Sequence, residues 1–493
     1  MPRLIFYKQK DLLLKERLVV FGTPYHIPPD AKGITYAGAA DPANIMAVIA
    51  AYRADAIQRN ILQTLISFST DIPSAYFQNE LTRADTGGHP VVVRLLIQLP
   101  HPLAGKWVEL LKSRYGLLWS NSIHARESIK ALADAGYRPA HVPGCDHNPL
   151  DRHIYQCVEP SDPLLKSTLC VTIDDVQGIG FHKPHFTRLQ AILRHRYGHE
   201  IEFDYSFNKY AGQQYHSQPD GRLTVDCSQY TQEMLTSFGI TDVEGASTPF
   251  SSDFFHTTTD TTPFDSTKYQ KATGALTWVS TRGRPDIAMA ANYLSSFNSG
   301  PTSGHWLKIL RIFRYLYYTI ELGLTYRTTD GPILHCSTDV ASDVQAGLVL
   351  SIGRYSALIY VQAGRLRFKI PLGPCQAEYM EMTNVVKAIT WFYALLSTIG
   401  YPQLHPTSIS QDNMSVKHLT ESPFIQRRSR RIDMIEDANR QAVQDGVTII
   451  FHRPTRRYSG PLQFIYQRSV LMNHSAQTVF NTIITLNLLH TQQ

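Results

Sequence analysis

Asp71 closes the apolar run Leu65-Ile-Ser-Phe-Ser-Thr70, and Asp174 and Asp175 close a second run, Leu169-Cys-Val-Thr-Ile173. Short apolar runs bounded by turn signals read as buried strands, so two strands would each deliver acid at one end. Carboxylates gathered at one point are the hard oxygen ligands that Mg²⁺ requires. Two such ions roughly 3.5–4 Å apart can activate a hydroxyl and steady a leaving pyrophosphate, which is the chemistry of phosphoryl transfer. Taken alone, an Asp-Asp pair after an apolar run is more often a solvated turn.

The elements that must position these acids follow from periodicity. Leu4 to Phe21 alternates apolar and basic positions about a polar turn, predicting a hairpin that carries Lys8, Lys10, Lys15 and Arg17. A helix is expected from Pro42 to Thr64, with Asp41 as N-cap, and another from Ile123 to Gly136, closed by glycine. After the second acidic run, Gly178-Ile-Gly180 reads as a turn; a helix over His185 to Tyr197, a hairpin over Gly212 to Val225 and a helix over Ser228 to Phe238 follow. The Ser-, Thr- and Asp-rich stretch Ser247 to Thr262 reads as a linker and domain boundary. Residues 266 to 318 read as helices. Beyond them lie strands at Ile333–Cys336, Ala346–Ile352, Tyr355–Val361 and Thr407–Ser410, with helices at Gln376–Thr398 and Ser429–Val443. That order reads as an α/β domain.

With 493 residues the chain should divide into two to four domains. Its 43% apolar and 18% charged residues exclude wholesale disorder and fibrous repeats. A net charge of +6 suits a nucleic-acid partner without requiring one. No Asp or Glu follows Asp445, whereas Arg453, Arg456, Arg457 and Arg468 do, so the end of the chain is basic. The six cysteines form no CxxC pair, and no stretch approaches a membrane span or a signal-peptide core. A soluble protein of a reducing, intracellular setting is expected, in cytoplasm, element particle or nucleus. Histidines, His335 and His452 included, show no metal-ligand spacing and read as core or surface residues.

Several blocks occur in one order: Lys15-Glu-Arg-Leu-Val-Val-Phe-Gly22, Asp71-Ile-Pro-Ser-Ala-Tyr-Phe-Gln-Asn-Glu-Leu81, Arg114-Tyr-Gly-Leu117 and Thr172-Ile-Asp-Asp175. Further on come Phe238-Gly239, Ser247-Thr-Pro249, Arg284-Pro-Asp-Ile-Ala288, His305-Trp306 and Arg314-Tyr-Leu316. Together these resemble the reverse transcriptases of copia-type retrotransposons, over residues 4 to about 326. The resemblance implies a right-hand polymerase of fingers, palm and thumb in which Asp71, Asp174 and Asp175 hold two Mg²⁺ ions, with Mn²⁺ as a substitute. It implies that Tyr76 lies under the incoming sugar and selects deoxynucleotides, and that Lys15 and Arg17 meet the triphosphate. Two departures stand out. Thr172 replaces an aromatic residue before the acids, and Leu118-Trp-Ser-Asn-Ser122 replaces a Lys-Gln-Ala-Pro-Arg-like run that lines the nucleotide pocket.

The later part resembles the RNase H domain of the same elements, whose nuclease uses four carboxylates. Ala377-Glu378-Tyr379 and Asp412-Asn413 match two of its signatures. In Cys336-Ser-Thr-Asp339, Ser337 takes the position of the first acid, and Asp339 lies two residues or roughly 6.5 Å further along the strand. After Pro454-Thr455, where the last acid belongs, the chain reads Gly460-Pro-Leu462.

The sequence thus predicts a multidomain α+β and α/β protein, a right-hand polymerase followed by a connection and an RNase H-like α/β domain. Fingers, palm and the start of the thumb would occupy 1–250, thumb and connection helices 251–330, the RNase H-like domain 331–470, and a C-terminal helix and tail 471–493. The expected activity is RNA-directed DNA synthesis, with a degenerate nuclease that retains Asp339, Glu378 and Asp412. Expected partners are an RNA template, a DNA primer, RNA-DNA hybrid and deoxynucleoside triphosphates, with no membrane. The alternative is a relic that binds nucleic acid without chemistry. No protease, integrase or capsid-like segment is recognisable, so only the downstream part of such an element is expected here.

Overall fold

The computed structural model describes residues 3–10, 13–20, 38–73, 75–95, 102–141, 151–198, 201–251, 254–255, 258–327, 330–340, 345–353, 356–365, 374–411, 413–422 and 433–452, with backbone alone at 3–10, 13–20, 339–340, 345, 365, 374 and 433–437. In chain order they form β1 (Arg3–Lys10), β2 (Leu13–Val20), α1 (Pro42–Gln58), β3 (Ile66–Asp71), α2 (Ala75–Gln78), β4 (Val92–Arg94), β5 (Trp107–Glu109) and α3 (Ser120–Asp134). Next come β6 (Arg138–Pro139), β7 (Ile154–Glu159), β8 (Asp162–Thr172), β9 (Asp175–Gly180), α4 (Lys183–Tyr197), β10 (Lys209–Tyr210), β11 (Gln213–Ser217), β12 (Leu223–Asp226) and α5 (Ser228–Ser237). Then follow α6 (Ser266–Arg282), α7 (Ala288–Ser295), α8 (Ser303–Tyr318), β13 (Leu324–Tyr326), β14 (Leu334–Val340), β15 (Gln345–Ile352) and β16 (Leu358–Arg365). The last are α9 (Pro374–Thr398), β17 (Thr407–Gln411), α10 (Met414–Glu421), α11 (Asp433–Gln444) and β18 (Thr448–His452).

These elements gather into two compact units: 1–40, 66–140 and 151–207 in one, 41–65, 141–150 and 208–493 in the other. The first unit is built on the sheet β3-β9-β8-β7-β6, with the separate hairpins β1-β2 and β4-β5. Its core is aromatic. Phe68 is fully buried, stacks on Phe203 with ring centroids 4.2 Å apart, and meets Phe186 edge-on at 5.0 Å. The expected turn at Gly178-Ile-Gly180 is instead the second half of strand β9. These glycines are explained by close approach: a Cβ on Gly178 would fall 2.1 Å from the Phe68 ring, and one on Gly180 would fall 2.6 Å from Lys166 O.

In the second unit, β16-β15-β14-β17-β18 forms a mixed sheet: β14 to β16 run as an antiparallel meander, and β17 and β18 add in parallel. Helix α1 packs with α9, although the two lie far apart in sequence; Trp391 Nε1 donates to Asn44 Oδ1 at 2.9 Å, and Tyr52 meets Tyr401 edge-on. An Ala- and Ile-rich helix with apolar residues all round can only be stable when covered on several sides, and eleven residues of α1 are buried. Helices α5 to α8 close on a further core that includes Leu276, Ile309 and Phe313. The Ser247–Thr262 stretch is not an open linker, because Phe250 and Phe254 insert into that core. A composition rich in Ser, Thr and Asp reads as a linker, but two aromatic side chains decide the packing. The C-terminal helix and tail expected at 471–493 lie outside the described residues.

Candidate active site

Strand β3 pairs antiparallel with β9, and the register sets Asp71 opposite Asp175. Strand β8 pairs with β9 on the other side, where Thr172 opposes Asp175. Only Ile173 and Asp174 are left to make the reversal between β8 and β9. A two-residue loop between antiparallel strands needs a primed turn with φ > 0, a position that usually takes glycine. Here Ile173 occupies it, at φ +57°. A β-branched residue held there carries strain of about 1–3 kcal/mol, and its surroundings must hold it.

Two contacts do so. Ile72 N–H donates to Asp174 O at 3.0 Å, which ties the turn to the end of β3. His124 of α3 is buried and places Nε2 3.2 Å from Ile173 O. Its other nitrogen, Nδ1, lies 3.3 Å from Asn79 Nδ2, an amide that also donates to Ala75 O at 2.8 Å. An amide N–H can only donate, so Nδ1 accepts and the proton sits on Nε2, facing the Ile173 carbonyl. Burial holds the His124 pKa below its ordinary value, consistent with a neutral ring.

The three acids form one electrostatic group. The Asp175 carboxyl is pushed up to about 6, by burial first and then by Asp174 and Asp71. Negative charge concentrated on hard oxygen donors at the mouth of a hairpin fits a divalent cation, which would relieve the repulsion that raises Asp175.

Tyr76 of α2 belongs to the same group. Its hydroxyl is pushed up to about 12 by burial, Asp174 and Tyr115, and it donates to Asn121 Oδ1. Its ring meets Tyr115 edge-on at 4.8 Å, and its carbonyl accepts from Ser113 Oγ at 2.6 Å. The Arg114-Tyr115 block therefore braces Tyr76, with the Arg114 guanidinium 4.3 Å over Phe77. Asn121 and His124 were missed from sequence. Asn121 falls in the run that departs from the resemblance, and His124 is an ordinary helix residue until the fold brings it to the turn.

Lys15 and Arg17 lie in β2, opposite Lys8 and Phe6, on a hairpin apart from the acid-bearing sheet. In the other unit, Ser337 and Asp339 both fall in β14, Ser337 beside Ser410 of β17. Glu378 of α9 is buried, and its Oε1 accepts from Asn413 Nδ2 at 3.1 Å, so the Ala-Glu-Tyr and Asp-Asn segments do meet. Asp412 and the segment after Pro454 lie outside the described residues. Among the described residues no helix is long and apolar enough to cross a membrane.

No protein-family model matches the chain. The retrovirus-related Pol polyprotein from transposon RE2 of Arabidopsis thaliana is 27% identical over 247 residues, 48% of this chain and 16% of that protein. The Pol polyprotein from transposon TNT 1-94 of Nicotiana tabacum is 25% identical over 238 residues, 45% of this chain and 18% of that protein. A transposon Ty5-1 protein of Saccharomyces cerevisiae is 28% identical over 189 residues, 37% of this chain and 61% of that protein. The chain therefore spans under a fifth of the length of the plant polyproteins it matches. Among solved structures, two of a foamy viral protease-reverse transcriptase with double-stranded DNA align at TM-scores of 0.48 and 0.46, with 11% and 12% identity. They cover 92% of this chain and 66% and 77% of their own. At modest identity and over part of its length, the chain is a homologue of the retrovirus-related Pol polyproteins of transposons.

Proposed function

We propose that this chain is an RNA-directed DNA polymerase of a copia-type element with a degenerate RNase H-like domain, poorly active or inactive as a nuclease. The observation that carries the reading is the pairing of Asp71 with Asp175 across β3 and β9, with Asp174 on the strained turn between β8 and β9. Asp71, Asp174 and Asp175 would hold two Mg²⁺ ions, or Mn²⁺ in their place. Held there, the ions supply activation of the primer hydroxyl and charge stabilisation for the departing pyrophosphate.

The chain's own residues do the positioning. His124 and Ile72 fix the turn that carries Asp174. Tyr76 is held by Asn121, Tyr115 and Ser113, and its ring would exclude a ribose 2′-hydroxyl. Lys15 and Arg17 would meet the triphosphate. The domain order of the reading is fingers and palm, thumb and connection, RNase H-like domain and tail, acting inside the cell on RNA template, DNA primer and deoxynucleoside triphosphates. In the nuclease half, Ser337 at the first acid position favours a domain that holds hybrid without cutting it.

The test is primer extension on an RNA template with deoxynucleotides and Mg²⁺, alongside a variant carrying Asp174→Asn and Asp175→Asn. Extension by the wild-type chain and none by the variant is expected. No extension by folded wild type that still binds template would leave the second reading, a nucleic-acid-binding relic.

A further inference from the structure

At the opposite end of β9 from the acids, about 16 Å along the strand, a second cluster of ligating side chains occurs. Glu159 ends β7, His182 is the N-cap residue of α4, and His185 lies in its first turn. His185 Nε2 is 3.8 Å and His182 Nε2 4.0 Å from the same oxygen, Glu159 Oε2. One ligand atom from each residue lies within 4.8 Å of the other two. The spacing of the histidines in the sequence carries no metal-ligand signal. His182 and His185 are only three apart, but the carboxylate that completes the group arrives from the β7–β8 hairpin, and only the sheet brings it there.

From these positions we infer that Glu159, His182 and His185 form a binding site for a zinc-class transition-metal ion, separate from the acids at the turn. Two imidazoles and one carboxylate suit Zn²⁺ better than the hard, all-oxygen preference of Mg²⁺. Four-coordinate zinc at about 2.0–2.1 Å from each donor would place ligand atoms about 3.3–3.5 Å apart. The present spacing needs a small closure, and the two residues free to make it are the more exposed ones, with 22% of the His182 side chain and 35% of the Glu159 side chain accessible.

The independent observation is His185 itself. Its side chain is 1% exposed, and Nε2 has no hydrogen-bond partner among the described residues. A buried polar atom left unmatched is destabilising, and a ligand that accepts its lone pair relieves that cost. Its Nδ1 is committed to Ser167 Oγ at 2.9 Å, and Ser167 Oγ is in turn 2.9 Å from Tyr137 OH, both buried. A metal-binding His185 would donate Nδ1–H to Ser167 Oγ and turn its Nε2 lone pair to the cluster, the kind of support that orients metal-bound histidine. The nearby Arg188 guanidinium is occupied one turn away, with Nε on Ala135 O at 2.7 Å and Nη2 on Cys157 Sγ at 3.3 Å. Three protein ligands leave the fourth position to water, and the ion would tie the β7–β8 hairpin to the start of α4.

The experiment is a titration of the metal-stripped full chain with Co²⁺ and then Zn²⁺, in excess Mg²⁺ to occupy the acids at the turn. One equivalent of Co²⁺ with the visible absorption of a tetrahedral nitrogen and oxygen site, displaced by Zn²⁺, is expected. His182→Ala and Glu159→Gln, both at partly exposed positions, should weaken binding by at least about tenfold while leaving the circular dichroism unchanged. No stoichiometric uptake by folded wild type would overturn the site. So would uptake that neither substitution alters, which is what binding to other histidines would give.

Discussion

His124 Nε2 lies 3.2 Å from the carbonyl oxygen of Ile173, the residue whose left-handed backbone turns the chain into Asp174 and Asp175. The contact joins helix α3 to the tip of the acid-bearing hairpin, and its strength lies in tautomer control, because Asn79 leaves Nδ1 only the role of acceptor. His124→Ala should therefore loosen the turn without touching an acid. Misplacement by fractions of an ångström is costly for phosphoryl transfer, so a loss in kcat on the order of 10- to 100-fold is expected, with KM for nucleotide changed far less. A loss of template binding instead of kcat would count against this role.

Arg284 shows a different use of a family-like block. It is 3% exposed and grips Asp286 through Nε–Oδ1 at 3.0 Å and Nη2–Oδ2 at 2.8 Å, while Nη1 donates to Thr319 O at 2.9 Å. Tyr315 OH adds a 2.6 Å hydrogen bond to Asp286 Oδ2. Removing one partner of a buried, fully satisfied pair leaves the other charge stranded, at a cost of about 3–5 kcal/mol. Arg284→Met should lower the denaturation midpoint strongly, and Asp286→Asn by less. The double variant should recover part of the loss, and midpoints that simply add would rule out the coupling.

The acids, their strands and most helices were legible because hydrophobic periodicity and acid placement are local signals. Asp71, Asp174 and Asp175 each end an apolar run, and the runs became β3 and β8. What escaped depends on contacts distant in sequence. Gly178 reads as a turn until Phe68 from another strand crosses it, and Ser247–Thr262 reads as a linker until Phe250 and Phe254 find a core. The block from Arg284 to Leu316 was legible as a resemblance but not in its purpose. Its Arg284, Asp286 and Tyr315 are joined by hydrogen bonds, and His305 caps α8 and stacks on Phe297 at 3.9 Å. Glu159, His182 and His185 escaped for the same reason, since a hairpin end and a helix start share no local pattern.

Tyr76 offers a test of substrate selection. Its hydroxyl is anchored on Asn121, and its ring on Tyr115. Tyr76→Phe keeps the ring and should leave discrimination between deoxynucleotides and ribonucleotides nearly intact. Tyr76→Val removes the bulk and should raise relative ribonucleotide incorporation by on the order of 10- to 100-fold, a transition-state difference of about 1.4–2.7 kcal/mol. The measurement is the ratio of kcat/KM for the two nucleotide types. Equal ratios in Tyr76→Val and wild type would remove Tyr76 from that role.

Glu381 gives the second unit a pH dependence of calculable sign. It is 1% exposed on α9, its Oε2 accepts from Asn384 Nδ2 at 2.9 Å, and its Oε1 has no partner among the described residues. Burial pushes its pKa up to about 7 from an ordinary 4.5, against the lowering effect of Asn384. An acid whose folded pKa lies above its unfolded one favours the folded state fully below the unfolded value, and loses that advantage as pH rises through the folded one. Glu381→Gln removes the charge without changing shape. Near about pH 5 the variant and wild type should have similar urea midpoints, and by about pH 9 the variant should be ahead by on the order of 2–3 kcal/mol. A difference that stays constant across that range would mean that Glu381 does not ionise within the folded unit.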